Sequence, residues 1–173
     1  SFKIDNTDRE VYMSDLFLIT LKPILYVANV DEQGMSEDND YIKALTEIAA
    51  AEGNEVIKVC AKFEEELSAL DKDEKTAFLA DLGITETGLE RLIVKSYKLL
   101  DLMSFLTVGK KEVRAWTIRN NTTAPKAAGK IHSDFERGFI RAEVFTYDDI
   151  KRLGSYNAVK EKGLVRSEGK TYV

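Results

Sequence analysis

The stretch 24-ILYVANVDE-32 reads as a buried strand that stops at a polar turn. Ile24, Leu25, Val27 and Val30 are apolar, Tyr26 suits a strand and Ala28 is small. A short apolar run bounded by turn residues fits a core strand of a parallel sheet, although the pattern alone also allows a short helix. Open α/β sheets take ligands just beyond the carboxyl ends of their strands. Asn29 and Glu32 stand at that edge, where an amide and a carboxylate can read the donors and acceptors of a base. The plainer reading makes Asn29 the start of a turn and Glu32 a solvated charge.

A second strand is expected over 55-EVIKVCA-61, carried by Val56, Ile57, Val59 and Cys60. Between the two, residues 40–52 have helical spacing, with Tyr41, Leu45, Ile48 and Ala49 on the inward face and Gly53 as terminator. Strand, helix, strand is a βαβ unit, which closes right-handed in a parallel sheet.

The ends of these strands resemble the last part of a P-loop GTPase-type domain. There, Asn-Lys-x-Asp follows one strand and a Ser-Ala-Lys turn follows the next. This chain has Asn29-Val30-Asp31-Glu32 and Cys60-Ala61-Lys62, so Val30 replaces the Lys and Glu32 the terminal Asp. Guanine presents N1–H and an amino group to a fixed carboxylate; adenine has an acceptor at N1 and a donor at N6. Asn-x-x-Glu is similar to the Obg-like ATPase family, YchF, whose members favour ATP. The stretch 123-TAPKAAGKIHSDFERGFIRAEV-144 resembles that family's C-terminal TGS domain.

The resemblance implies an α/β chain: the C-terminal part of a parallel-sheet nucleotide domain over 1–108, then an α+β ubiquitin-like β-grasp (TGS) domain over 109–173. It implies a base pocket of Asn29, Val30 and Glu32, closed by Cys60 and Ala61, with Val30 against the adenine. The phosphate loop, the magnesium ligands and a helical insertion would precede Ser1, and a final strand would follow Val173. ATP or GTP with Mg²⁺ is then expected in the intact protein, and no hydrolysis by this chain alone. The family also implies a ribosome or structured RNA as partner.

Composition bounds these readings. With 44% hydrophobic and 32% charged residues the chain can fold as a soluble globule. No apolar run approaches the ~18 residues of a membrane span, and no secretory signal stands at the amino end. A single cysteine, Cys60, excludes an internal disulfide and fits a reducing cytoplasm. One histidine, His132, leaves no His-based metal cluster. Residues 109–173 hold 14 Lys+Arg and 8 Asp+Glu, a balance of +6, against −11 for residues 1–108; together they give the net −5. Such a split points to an anionic partner for the basic half, or to an ordinary solvated surface.

The remaining stretches are read by periodicity and punctuation. A short helix is expected over 8–18, ended by Lys22-Pro23. Helices follow over 63–70 and 71–82, the second with Asp71 as N-cap and Gly83 as terminator. Thr87-x-x-Glu90 is a capping-box pattern opening the longest helix, with Leu89, Leu92, Ile93, Leu99, Leu100, Met103 and Leu106 as its apolar face. Glu64–Glu66 reads as a solvated run. After a boundary at Val108-Gly109-Lys110-Lys111 come a strand over 112–118, a turn over 119–122 and a helix over 127–135 stopped by a left-handed Gly138. A strand over 139–147, a helix over 155–162 and strand segments around Gly169 complete the chain.

Basic residues around that helix, Lys126, Lys130, Arg137 and Arg141, with His132 as an assisting donor, are the expected ribosome or RNA contact. Three other features are given plainer readings. Gly163–Thr171 has five residues between its glycines, where a phosphate loop needs four, and reads as a β-turn. His132 lacks a neighbouring nucleophile and reads as a surface group, and Trp116 as a half-buried sheet residue. No catalytic or metal-ligating residue is assigned. The rival functions are a ribosome- or RNA-binding adaptor, and an interaction module without a working nucleotide site.

Overall fold

The strand β1 (Leu25–Asn29) pairs in parallel with β2 (Glu55–Val59), Leu25 opposite Glu55 and Asn29 opposite Val59. The computed structural model describes residues 14–109 and 112–173, and it divides into two units that meet at Leu100 and Asp101.

In the first unit β1 leads into a short helix, α1 (Glu32–Ser36), then α2 (Asp40–Glu52) crosses to β2. Asn39 opens α2 by accepting from the Ile42 N–H at 3.0 Å, and Gly53 closes it at φ +74°, a conformation that a Cβ penalises. Of the expected face of α2, Ala49 is buried and Leu45 half-buried, whereas Tyr41 is 85% exposed and Ile48 54%, and Ile42 is buried in their place. Ile42 and Ala49 form one i, i+7 pair, and they join Ala28 and Ile57 among the buried apolar side chains of this unit.

Three helices follow: α3 (Ala61–Ser68), α4 (Lys72–Asp81) and α5 (Gly88–Leu99). Asp71 and Glu74 form a reciprocal capping box on α4, and Thr87 and Glu90 form another on α5. Glu64 is not merely solvated: its Oε1 accepts from the Gly88 N–H at 2.6 Å. Lys95 of α5 reaches Glu55 of β2 at 2.6 Å.

The second unit starts with β3 (Leu102–Val108), antiparallel to β4 (Val113–Arg119). This corrects the helix expected to run through Met103 and Leu106. Asp101 takes φ +54°, and its backbone carbonyl and carboxylate accept from the Asn120 N–H (2.9 Å) and Nδ2 (2.7 Å). That left-handed residue ends helical propagation, and the same apolar letters continue as a strand. A boundary at residue 109 would fall inside the β3–β4 hairpin.

The helix expected over 127–135 is two helices, α6 (Ala124–Ile131) and α7 (Ser133–Arg137). His132 separates them: its backbone is extended (φ −161°, ψ 143°) and its Nδ1 accepts from the Asp134 N–H at 3.2 Å. Gly138 sits at φ −88°, outside the expected left-handed region.

Only Ala142–Val144 of the strand expected over 139–147 is extended, as β5; Phe139 is buried and Ile140 is 80% exposed. Thr146 then accepts from Asp149 N–H and opens α8 (Tyr147–Leu153), followed by α9 (Tyr156–Glu161) and β6 (Arg166–Glu168), antiparallel to β5. Ile118, Phe139 and Val159 are the buried apolar side chains here. The Ala124 N–H donates to the Tyr172 carbonyl at 2.8 Å and ties the start of α6 to the chain's end.

The helix expected over 8–18 lies mostly outside the described residues, whose first elements are 3₁₀ turns at Ser14–Leu16 and Ile19–Leu21. Lys110 and Lys111 also lie outside them. Among the described residues no helix is long and apolar enough to cross a membrane.

Candidate functional site

An open groove of about 530 Å³ lies at the carboxyl ends of β1 and β2, lined by Asn29, Val30, Asp31, Glu32, Gln33, Cys60 and Lys62. Parallel pairing places both strand ends at one edge, so residues 31 positions apart in the chain face the same space. The Val30 N–H donates to the Val59 carbonyl at 2.9 Å and extends the ladder to the groove's floor.

Asn29 is the last residue of β1, and its Oδ1 accepts from the Ala61 N–H at 3.1 Å. That bond satisfies a first-turn N–H of α3, one of the groups a helix leaves unpaired. It also leaves the Asn29 Nδ2–H groups as the side chain's remaining polar handle. Cys60 is buried at 3% exposure and sits at the N-cap of α3. Ala61 contributes its backbone N–H to Asn29 and is not a lining residue.

The turn after Val30 is made by two residues that the sequence reading did not assign. Asp31 caps α1, its Oδ1 accepting from the Gly34 N–H at 2.8 Å. Gly34 is buried, and a Cβ on it would lie 2.8 Å from the Val30 Cβ, so the turn folds back over Val30 only with glycine here. Asp31-x-x-Gly34 is an N-cap spacing that was available as a signal. Glu32 is the first residue of α1, and its Oε1 lies 3.3 Å from Lys62 Nζ. The Lys62 ammonium also reaches Glu66 at 3.9 Å. The Glu32 carboxylate, first by hydrogen bond and then by charge, holds Lys62 above the ordinary lysine range. Among the described residues no group of three His, Cys, Asp or Glu is placed to hold a metal ion.

In the second unit Lys126, Lys130, His132, Arg137 and Arg141 are all exposed. Lys126 and Lys130 are on α6, Arg137 ends α7, and Arg141 precedes β5. None of the four cations has an ion-pair partner among the described residues, and His132 Nδ1 is engaged as the acceptor of the Asp134 N–H. Trp116 is engaged within its hairpin: Nε1 donates to Thr107 Oγ1 at 2.9 Å and Arg114 lies 4.2 Å over the ring. Gly169 opens a turn closed by the Tyr172 N–H at 3.3 Å.

A mixed α/β protein with an open groove at the carboxyl ends of two parallel strands is what this fold and site define. The YchF-GTPase C-terminal family model, described as a protein of unknown function (DUF933), matches residues 102–173. The ribosome-binding ATPase YchF of Haemophilus influenzae is 50% identical over 173 residues, covering 100% of this chain and 47% of that protein. The protein of the same name from Bacillus subtilis is 49% identical over 168 residues, covering 96% and 46%. The solved structure of the Schizosaccharomyces pombe YchF GTPase superposes with a TM-score of 0.83 at 32% identity, over 100% of this chain and 46% of that one. The chain belongs to the YchF family, and it spans about half the length of the curated relatives it matches.

Proposed function

We propose that this chain supplies the base-recognition side of a purine nucleotide site, in a protein that binds and hydrolyses ATP and associates with the ribosome. The observation that carries the reading is the convergence of Asn29, Val30 and Glu32 on one groove with Cys60, Asn29 being held there by the Ala61 N–H. Val30 offers an apolar contact to a base, and the Asn29 amide offers donors to a ring nitrogen. The relatives' printed names, ribosome-binding ATPase and GTPase, support a nucleoside triphosphate as ligand. ATP or GTP with Mg²⁺ is read as the ligand of the intact protein, in which this chain contributes the base-binding side. We read the second unit as a TGS-type β-grasp, and a cytoplasmic site of action accords with a ribosomal partner.

Competitive titration of the full-length protein with labelled ATP and GTP tests the reading. ATP is expected to bind more tightly, and Asn29→Ala to weaken both nucleotides. A clear preference for GTP would overturn the base assignment.

The adaptor reading has one observation in its favour, the exposed cations Lys126, Lys130, Arg137 and Arg141 on the second unit, which have no ion-pair partner among the described residues. They suit phosphate contacts that position a domain on RNA without reading its sequence.

A further inference from the structure

We infer that Lys62 is a specificity-determining residue of the groove, setting the choice between adenine and guanine by occupying the Glu32 carboxylate. The inference rests on the reading of the groove as a base pocket.

Two of the groove's polar side chains cannot make this choice. The Asn29 oxygen is taken by the Ala61 N–H, so its amide presents donors. Those suit N7, an acceptor that both purines share. Asp31 is the capping acceptor for the Gly34 N–H. Of the groove's two carboxylates, Asp31 is held to the start of α1 by that cap, whereas no backbone group among the described residues binds the Glu32 carboxylate, whose partner is the Lys62 side chain.

A carboxylate with both oxygens available accepts from the N1–H and 2-amino groups of guanine together. Against adenine the same oxygens meet the N1 lone pair. An unpaired Glu32 would thus draw the groove toward guanine. Lys62 Nζ lies 3.3 Å from Glu32 Oε1, bridging α3 to α1 across the groove. It occupies one oxygen, cancels the charge locally, and adds N–H donors of the kind that adenine N1 accepts. Glu66, one turn further along α3, lies 3.9 Å from the same ammonium. Both members of the Lys62–Glu32 pair are more than two-thirds exposed, so the bias is modest.

Labelled ATP and GTP are titrated into the full-length protein as wild type, Lys62→Met, Lys62→Arg and Asn29→Ala. Both nucleotides carry the same triphosphate, so the ratio of their affinities isolates the base. Lys62→Met is expected to move that ratio toward GTP by about two- to fivefold, the range of an exposed ion pair. Lys62→Arg is expected to hold the ratio, and added salt to move wild type toward Lys62→Met. An unchanged ratio in Lys62→Met, while Asn29→Ala weakens both nucleotides, would overturn the inference and leave the pocket standing. Wild-type binding of both nucleotides by Asn29→Ala would remove the pocket, and the inference with it.

Discussion

The Gly88 N–H donates to Glu64 Oε1 at 2.6 Å, joining the start of α5 to the middle of α3. A Cβ on Gly88 would lie 2.9 Å from that oxygen and 3.2 Å from Val59 Cγ1. Gly88 is therefore a close-packing position, and its φ is not the constraint. Gly88→Ala should cost about 1–3 kcal/mol through overpacking, despite the gain in helix propensity. Glu64→Ala should cost about 1–3 kcal/mol by leaving a part-buried N–H unpaired. Urea unfolding of the two variants checks both values, and a neutral Gly88→Ala would show that Val59 and Glu64 move aside freely.

Glu90 gives the same helix start a pH dependence. Its carboxylate accepts from the Thr87 N–H at 2.9 Å, and this bond holds its pKa below the ordinary 4.5. For a carboxylate whose folded pKa is depressed, the stabilisation is complete above the unfolded value and fades as pH falls through the folded one. Stability should therefore be flat in this respect at neutral pH and decline below about 4.5, and Glu90→Gln should lose part of that decline. Thr87→Ala removes the partner bond and should cost about 1–2 kcal/mol at every pH. Unfolding midpoints from pH 3 to 7 separate the two variants.

What is legible in these 173 residues is local chemistry. Asn29, Asp71, Thr87 and Gly53 announce themselves because turn and cap residues act within a few positions of themselves. Contacts between distant segments are not written that way. Nothing near Glu64 says that its oxygen will meet Gly88, 24 residues on, and nothing near Glu32 points to Lys62, 30 residues on. The apolar letters from Leu89 to Leu106 fit one helix until Asp101 turns left-handed under its bonds to Asn120, a choice made by tertiary partners. The α8 helix was readable in principle, since Thr146-x-x-Asp149 is an N-cap spacing beside an apolar run that also suits a strand.

Asn121 provides a test of the backbone at the same open end of the hairpin, next to the Asp101–Asn120 contact. It adopts φ +61° in the turn after β4 and is exposed. A Cβ-bearing residue in that region costs about 1–2 kcal/mol, least for Asn and Asp. Asn121→Gly should be neutral or stabilising by up to about 1 kcal/mol, and Asn121→Val destabilising by about 1–2 kcal/mol. Equal thermal midpoints for the two variants would show that the turn relaxes out of the left-handed region.

The second unit is expected to carry the contact with ribosomal or structured RNA. Lys126, Lys130, Arg137 and Arg141 are exposed on or beside α6 and α7, without ion-pair partners among the described residues. His132 already uses Nδ1 to accept from the Asp134 N–H, so Nε2 is the atom left to donate to a phosphate. Each phosphate that such a cation neutralises releases condensed counterion, and log affinity falls with log salt by about 0.9 per contact on duplex and about 0.7 on single strands. Lys130→Ala with Arg137→Ala should therefore weaken ribosome binding at low salt and reduce the slope by about 1.4–1.8. The charges sit on the surface, so the double variant should keep the wild-type circular dichroism spectrum and unfolding midpoint. Binding is measured by co-sedimentation with ribosomes and by titration of an RNA hairpin, from 50 to 300 mM salt. A folded double variant with the wild-type slope would place the contact elsewhere and leave these cations the role of keeping a small domain soluble.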